Sequence, residues 1–138
     1  NEIILNSRDL KIIFPMHPRT RKTFNSLSLK NDRLIIVDPL SYLEFNFLVQ
    51  NAKVVITDSG GITEEATVLN IPCLTLRDST ERPETVDMGT NELIGLNEKL
   101  IAPAMEKIFL KKWKKGRIPP LWDGKTSDRI VHQLLKLI

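Results

Sequence analysis

Short apolar runs alternate with stretches of helical spacing along most of the 138-residue chain. KIIFP (11–15), RLIIV (33–37), KVVIT (53–57) and PCLTL (72–76) are strand-length, mostly β-branched or apolar, and bounded by proline, aspartate or glycine. They predict four strands. Between them, RTRKTFNSLSL (19–29) carries Phe24 and Leu27 at i, i+3, SYLEFNFLVQNA (41–52) has Ser41 placed to cap it, and ITEEATVLN (62–70) stops before Pro72. These predict three helices. A polar loop, RDSTERPETVDMGT (77–90), leads to the short apolar segment ELIGL (92–96). Asn97 is then a cap for a helix whose positions 100, 101, 104, 105, 108 and 109 share one face, with Pro103 tolerable only near its start. GRIPPLWDGK (116–125) reads as a proline-bearing connection and SDRIVHQLLKLI (127–138) as a final amphipathic helix.

Alternating strands and helices imply an α/β domain, a parallel sheet with helices on both faces. Ligands in such folds bind at the carboxyl ends of strands, near a switch point in strand order. His17, Asp38, Asp58-Ser59-Gly60-Gly61 and the segment Arg77 to Glu84 each follow a strand. Four polar motifs on one predicted edge are the reason to expect a binding site there.

Composition narrows the class. The length suits one domain, residues 1–138, and 41% hydrophobic residues with 27% charged ones suit a packed core rather than disorder. Cys73 is the one cysteine, so no internal disulfide forms, and a reducing, cytoplasmic setting is expected. No apolar stretch approaches the ~20 residues that span a bilayer, and no signal peptide is evident. The chain opens at Asn1 in an already periodic segment, so an excised piece of a longer protein is expected. Charge is uneven: residues 97–138 hold ten Lys/Arg against four Asp/Glu, while 1–96 hold ten against thirteen. KKWKKGR (111–117) creates most of the asymmetry. It is either a nucleic-acid patch with Trp113 inside it or, as the simpler expectation, a solvated helix end.

TDSGGITEEA (57–66) sets two glycines before two glutamates. Ser59 and the amides of Gly60 and Gly61 suit a phosphate at a helix entrance, or else form a plain strand-to-helix turn. On a helix with Ile62, Ala66 and Leu69 facing the sheet, Glu64 lies about 160° away in solvent and Glu65 about 60° away, at the buried edge. Glu65 there accepts either from neutral sugar hydroxyls or from a Lys or Arg elsewhere. His17 donates to a phosphate, acts as a general acid, or is structural; His132 belongs on the surface. Arg82, stiffened by Pro83, is the strongest anion candidate of its loop. Phe45 stands about 160° from the Leu43/Phe47 side of its helix, with Tyr42 and Val49 near it. Either both apolar faces are buried or Phe45 offers a flat surface to a base.

TDSGGITEEA together with RDSTERPE (77–84), PMHP (15–18), DPLSYLEF (38–45) and DGKTSDRI (123–130), in that chain context, resembles the carboxyl-terminal domain of the non-hydrolysing UDP-N-acetylglucosamine 2-epimerases. The resemblance runs over essentially all 138 residues. It implies a Rossmann-like half of a two-domain, glycosyltransferase-B-like enzyme with substrate in the cleft. It implies interconversion of UDP-GlcNAc and UDP-ManNAc, through elimination and re-addition of UDP, in the synthesis of cell-surface polysaccharide. Carried over, Ser59, Gly60 and Gly61 meet the phosphates, Glu65 the ribose, Phe45 the uracil, and Arg82 and His17 the pyrophosphate and active site. The carboxylates that move the C2 proton belong to an amino-terminal domain absent here, so this piece alone is expected to be inactive. Partners expected are UDP, UDP-sugars, the amino-terminal domain and, at full length, a second copy; no nucleic acid, membrane, cofactor or metal is expected. Where the family reads His-x-Asn-Pro, this chain has His17-Pro18-Arg19-Thr20. Two alternatives stay open: an epimerase for another UDP-2-acetamido sugar, and a glycosyltransferase donor domain.

Overall fold

The computed structural model describes residues 1–27 and 29–137, with the side chain of Asn25 left aside. A short helix α1 (Glu2–Asn6) precedes β1 (Ile12–Pro15), α2 (Pro18–Asn25), β2 (Leu34–Val37), α3 (Tyr42–Gln50), β3 (Val55–Thr57), α4 (Gly60–Val68) and β4 (Cys73–Thr75). These four strands and three helices follow the apolar pattern to within a few residues. α2 stops short of the predicted 29, in a turn at Ser26 and Leu27; Ser28 lies outside the described residues. The Ser26 hydroxyl there donates to the Thr23 carbonyl at 2.6 Å, a local bond that competes with helix continuation. Ser41 starts α3 as expected. Its backbone N–H and hydroxyl both donate to Glu44, at 2.9 and 2.6 Å, and they hold that carboxyl below its ordinary pKa.

The polar segment 77–90 is not all loop. It contains α5 (Pro83–Asp87), a single turn begun by proline at its first position and invisible to periodicity because it has no apolar stripe. The next apolar segment supplies a fifth strand, β5 (Asn91–Leu93). Asn97 caps a 3₁₀ turn (Glu98–Leu100) by accepting from the Lys99 N–H, and α6 (Ile101–Phe109) follows, with Pro103 in its first turn. α7 (Thr126–Leu135) closes the order.

All strand pairs are parallel. Among the described residues the ladders form two groups: β1 with β2, in register from Ile12–Leu34 to Pro15–Val37, and β3–β4–β5, with Val55, Cys73 and Asn91 aligned. The connections β1–α2–β2, β3–α4–β4 and β4–α5–β5 are crossover units, so the carboxyl ends of paired strands share one edge. Cys73, Leu74 and Thr75 are buried on both faces of β4, as a central parallel strand requires. The core gathers around Leu74 with Ile94, just after β5, and with Ile101, Ala104, Met105 and Ile108, the apolar face of α6.

Beside it runs a buried polar chain. The Thr75 hydroxyl donates to Asn91 Oδ1 at 2.6 Å, Asn91 Nδ2 donates to the Thr85 hydroxyl at 3.1 Å, and that hydroxyl donates to the Arg82 carbonyl at 2.8 Å. Asn91 and Thr85 are fully buried, so each unpaired group there would be costly. KKWKKGR is drawn into the same region: Trp113 Nε1 donates to the Thr90 carbonyl at 2.8 Å and Lys114 Nζ to the Val86 carbonyl at 2.6 Å. Only those two side chains are drawn in: Lys111, Lys112, Lys115 and Arg117 stay exposed beyond the end of α6, as a solvated helix end would, while the aromatic packs against the core. Burial lowers the Lys114 pKa, against the pull of Glu92 and Asp87.

Gly89 lies where α4, α5 and this segment meet. A Cβ at Gly89 would stand 2.5 Å from the Thr85 carbonyl oxygen and 2.6 Å from the Thr67 side chain. Gly89→Ala is therefore expected to cost about 2 kcal/mol or more, from overpacking against backbone. Chemical denaturation reads it as a lowered midpoint; an unchanged midpoint refutes the packing.

Candidate functional site

The carboxyl edge of β3 ends at Thr57, whose hydroxyl accepts from the Ser59 N–H at 3.0 Å. That bond turns the chain so that Ser59 becomes the N-cap of α4 and the two glycines its first two residues, inside the helix rather than before it. The Ser59 hydroxyl makes no capping bond. The first N–H groups of any helix have no intrahelical partner, so the α4 entrance offers several donors and about half a positive charge.

Neither glycine is there for the fold. Gly60 and Gly61 lack a positive φ, and a Cβ on either would meet nothing within 4 Å. Gly89 and Gly116 would clash on gaining a Cβ, and Gly95 has a φ of +63° besides. Bare backbone that the fold does not demand fits a ligand approaching the amides closely.

The face α4 buries is not the expected Ile62–Ala66–Leu69 stripe. Thr63, Ala66 and Thr67 are buried, and the threonine hydroxyls donate to the carbonyls of Gly60 and Thr63, at 2.6 and 2.8 Å. Such back-bonding lets threonine occupy a core face. Glu65 is half-buried, as its position implied, and no ion pair engages it among the described residues. Desolvation, and secondarily the charge of Glu64, raises its pKa. Glu64 is not free in solvent: it is half-buried and forms an ion pair and hydrogen bond with Nε of Arg82.

A groove of about 510 Å³ runs between α3 and α4, lined by Tyr42, Asn46, Gly61, Glu64, Glu65 and Val68, with Leu69 and Trp122. It brings Gly61 and Glu65 together, with Ser59 and Gly60 in the adjoining turn and Arg82 attached through Glu64. Phe45 is half-buried on α3 but does not line the groove; its neighbours Tyr42 and Asn46 do. The idea that both faces of α3 are buried fails, since Leu43 and Phe47 are 78% and 66% exposed. Trp122 was not singled out from the sequence. It stands in a turn wound by Leu121 and Gly124, with φ of +70° and +75°, and held by the Asp123–Arg129 pair. A non-glycine residue with positive φ is visible only in coordinates.

His17 lies outside that lining, exposed at the end of β1 as the N-cap of α2. Its Nδ1 accepts from the Arg19 N–H at 3.3 Å, so the neutral ring carries its proton on Nε2, free to donate outward. Asp38 is taken up by Arg21 at 2.8 Å. The buried Cys73 thiol is pushed up to about 12 by desolvation, which rules it out as a thiolate nucleophile at neutral pH. A second cleft, between α1 and α6, holds Arg8 stacked 4.3 Å over Phe109 and none of the strand-end motifs. The site thus offers amide donors and a hydroxyl for an anion, a carboxylate for neutral donors, and aromatic walls for a flat group.

A family model described as UDP-N-acetylglucosamine 2-epimerase matches residues 2–135. Curated relatives include the UDP-N-acetylglucosamine 2-epimerase of Methanocaldococcus jannaschii, 44% identical over 95% of this chain and 37% of its own length. Another is the UDP-2,3-diacetamido-2,3-dideoxy-D-glucuronate 2-epimerase of Pseudomonas aeruginosa, 37% identical over 99% of this chain and 38% of its own. A solved structure of the Methanocaldococcus jannaschii UDP-GlcNAc 2-epimerase, in complex with UDP-GlcNAc and UDP, superposes with a TM-score of 0.79 at 43% identity. It covers 98% of this chain and 38% of that one. The chain spans a little over a third of these relatives.

Two outcomes follow from the glycines and from Glu65. Gly60→Ala and Gly61→Ala should keep the melting temperature within about 2 °C of the parent, unlike Gly89→Ala. A collapse of stability would show that the fold needs them. Glu65 has a folded-state pKa above its unfolded one, so its ionisation costs stability as pH rises through the folded value. Glu65→Gln should therefore raise the melting temperature at pH 7, by about 1–2 °C, and the gain should vanish toward pH 4. A gain independent of pH would contradict this.

Proposed function

The chain belongs to the UDP-N-acetylglucosamine 2-epimerase family, and on that premise we propose that it is the UDP-binding, carboxyl-terminal part of an epimerase interconverting UDP-GlcNAc and UDP-ManNAc. The observation that carries the reading is the juxtaposition at α4. Two glycines that the fold does not require adjoin a half-buried carboxylate that no ion pair engages among the described residues. The diphosphate sits at the amides of Gly60 and Gly61 and the Ser59 hydroxyl, and the ribose hydroxyls donate to Glu65. Ribose is a neutral donor, so Glu65 does not oppose the phosphate little more than one helical turn away. The uracil lies toward α3, where Tyr42 and Asn46 line the groove and Phe45, half-buried beside them, stands behind that wall.

In the reaction, the C2 proton of the sugar is removed and the C1–O bond breaks, its electron pair leaving with UDP. The product is 2-acetamidoglucal. UDP then adds back at C1 while C2 takes a proton on the opposite face. This part of the enzyme acts on the leaving group. Fixed amide dipoles and Arg82 stabilise the charge that develops on the diphosphate, and His17 donates to it from Nε2. Removal of the C2 proton falls to carboxylates in the remaining part of the protein, and the piece described here is inactive without it. The family resemblance also supports a homodimer acting in the cytoplasm. No helix among the described residues is long and apolar enough to cross a membrane.

The relative acting on UDP-2,3-diacetamido-2,3-dideoxy-D-glucuronate favours a second reading, in which the same UDP seat serves another 2-acetamido sugar. Incubation of the full-length protein with each UDP-sugar, without an acceptor, distinguishes them by which C2 epimer accumulates. No epimer from either would overturn the enzyme assignment. By calorimetry, Glu65→Ala should weaken UDP about tenfold while leaving inorganic pyrophosphate within about twofold. Equal losses would sink the ribose assignment.

A further inference from the structure

We propose that Glu64 is a positioning residue of the diphosphate seat, holding Arg82 beside the first turns of α4 with its terminal Nη groups left for the ligand. This rests on the UDP-site reading above. Arg82 comes from a segment 18 residues downstream of Glu64, so its side chain has no local reason to lie against α4. Two anchors bring it there. The backbone anchor is the buried chain described above: the Arg82 carbonyl accepts from the Thr85 hydroxyl at 2.8 Å, and Thr85 is tied through Asn91 to Thr75. In addition the Arg82 N–H donates to the Thr80 hydroxyl at 3.1 Å. The side-chain anchor is Glu64, which accepts from Nε.

The choice of nitrogen matters. A guanidinium has five N–H donors, and a phosphate takes two of them side by side. A carboxylate on Nε leaves the edge formed by Nη1 and Nη2 intact, and among the described residues no hydrogen bond or ion pair engages those atoms. A carboxylate astride the two Nη atoms would instead occupy the place of the ligand. Both partners retain solvent access, at 54% and 36% of their side-chain surface, so the pair adds little to stability in water. Its consequence is geometric: a long, rotamer-rich side chain is fixed before the ligand arrives, which removes part of the ordering cost of binding. It also cancels the negative charge of Glu64 next to a seat built for an anion.

Calorimetric titration of the full chain with UDP and with uridine tests the role, because only UDP carries the diphosphate. Glu64→Ala should weaken UDP about tenfold and leave uridine within about twofold. Glu64→Gln, whose amide oxygen still accepts from Nε, should retain most of the UDP affinity. On an Arg82→Ala background, Glu64→Ala should cost nothing further. Tighter UDP binding in Glu64→Ala would overturn the proposal and make Glu64 a competitor of the phosphate. Equal losses of UDP and uridine would overturn it in favour of a structural role. A parent chain that prefers UDP, with Glu64→Ala unchanged, would remove the role of Glu64 alone. A parent chain that binds UDP no tighter than uridine would remove the diphosphate seat and this role with it.

Discussion

The backbone amides at the start of α4 need a partner that the chain withholds. A helix entrance is ordinarily closed by the hydroxyl or carboxylate of its N-cap. Ser59 occupies that position, yet its hydroxyl makes no such bond, and the next two residues carry no side chain. Everything nearby preserves the opening. β3 ends on a threonine that turns the chain into the helix, and the buried threonines of α4 satisfy themselves on their own backbone. The result is a fixed cluster of donors at the carboxyl edge of a parallel sheet, where charge on a bound group is felt most strongly.

Charge around that opening is divided rather than summed. Glu64 and Arg82 neutralise each other, so of the acidic pair that follows the glycines only Glu65 is without an ion pair among the described residues. Glu65 is partly desolvated and next to another acid, an arrangement that disfavours its ionised form in the free protein. Side chains kept at such a cost are characteristic of binding sites, where a ligand supplies the missing donors. The anion and the neutral hydroxyls are thus received by different atoms within one helical turn and a half.

Rigidity is concentrated on the far side of the same helix. Gly89 admits the close approach of α4, α5 and the segment around Gly116, while Asn91 joins β4, β5 and α5 through hydroxyl and amide bonds that water does not reach. Trp113 and Lys114 lock residues 113–117 onto it. The glycines therefore fall into two kinds. Those that the packing needs have neighbours against the missing Cβ, and those at the α4 entrance have open space. α7 contrasts with this region: Ile130, Val131, Leu134 and Leu135 are all more than half exposed along its apolar side.

The sequence by itself determined the succession of strands and helices, the Ser41 start of α3 and the placement of Ser59, Gly60, Gly61 and Glu65 after β3. Those features depend on periodicity and on neighbours within a turn, which a linear reading contains. Family motifs added the chemistry that a glycine pair alone leaves open. Tertiary structure alone decided that Arg82 pairs with Glu64, that Thr63 and Thr67 rather than Ile62 and Leu69 are buried, and that Trp122 rather than Phe45 lines the groove. It also folded one turn out of the polar segment 77–90 and turned Trp113 inward. Each of these joins residues far apart in the chain or depends on which face of a helix meets its neighbours. A threonine counts as polar in a sequence pattern but is at home in a core once its hydroxyl returns to the backbone, and only the packed fold shows that it has done so.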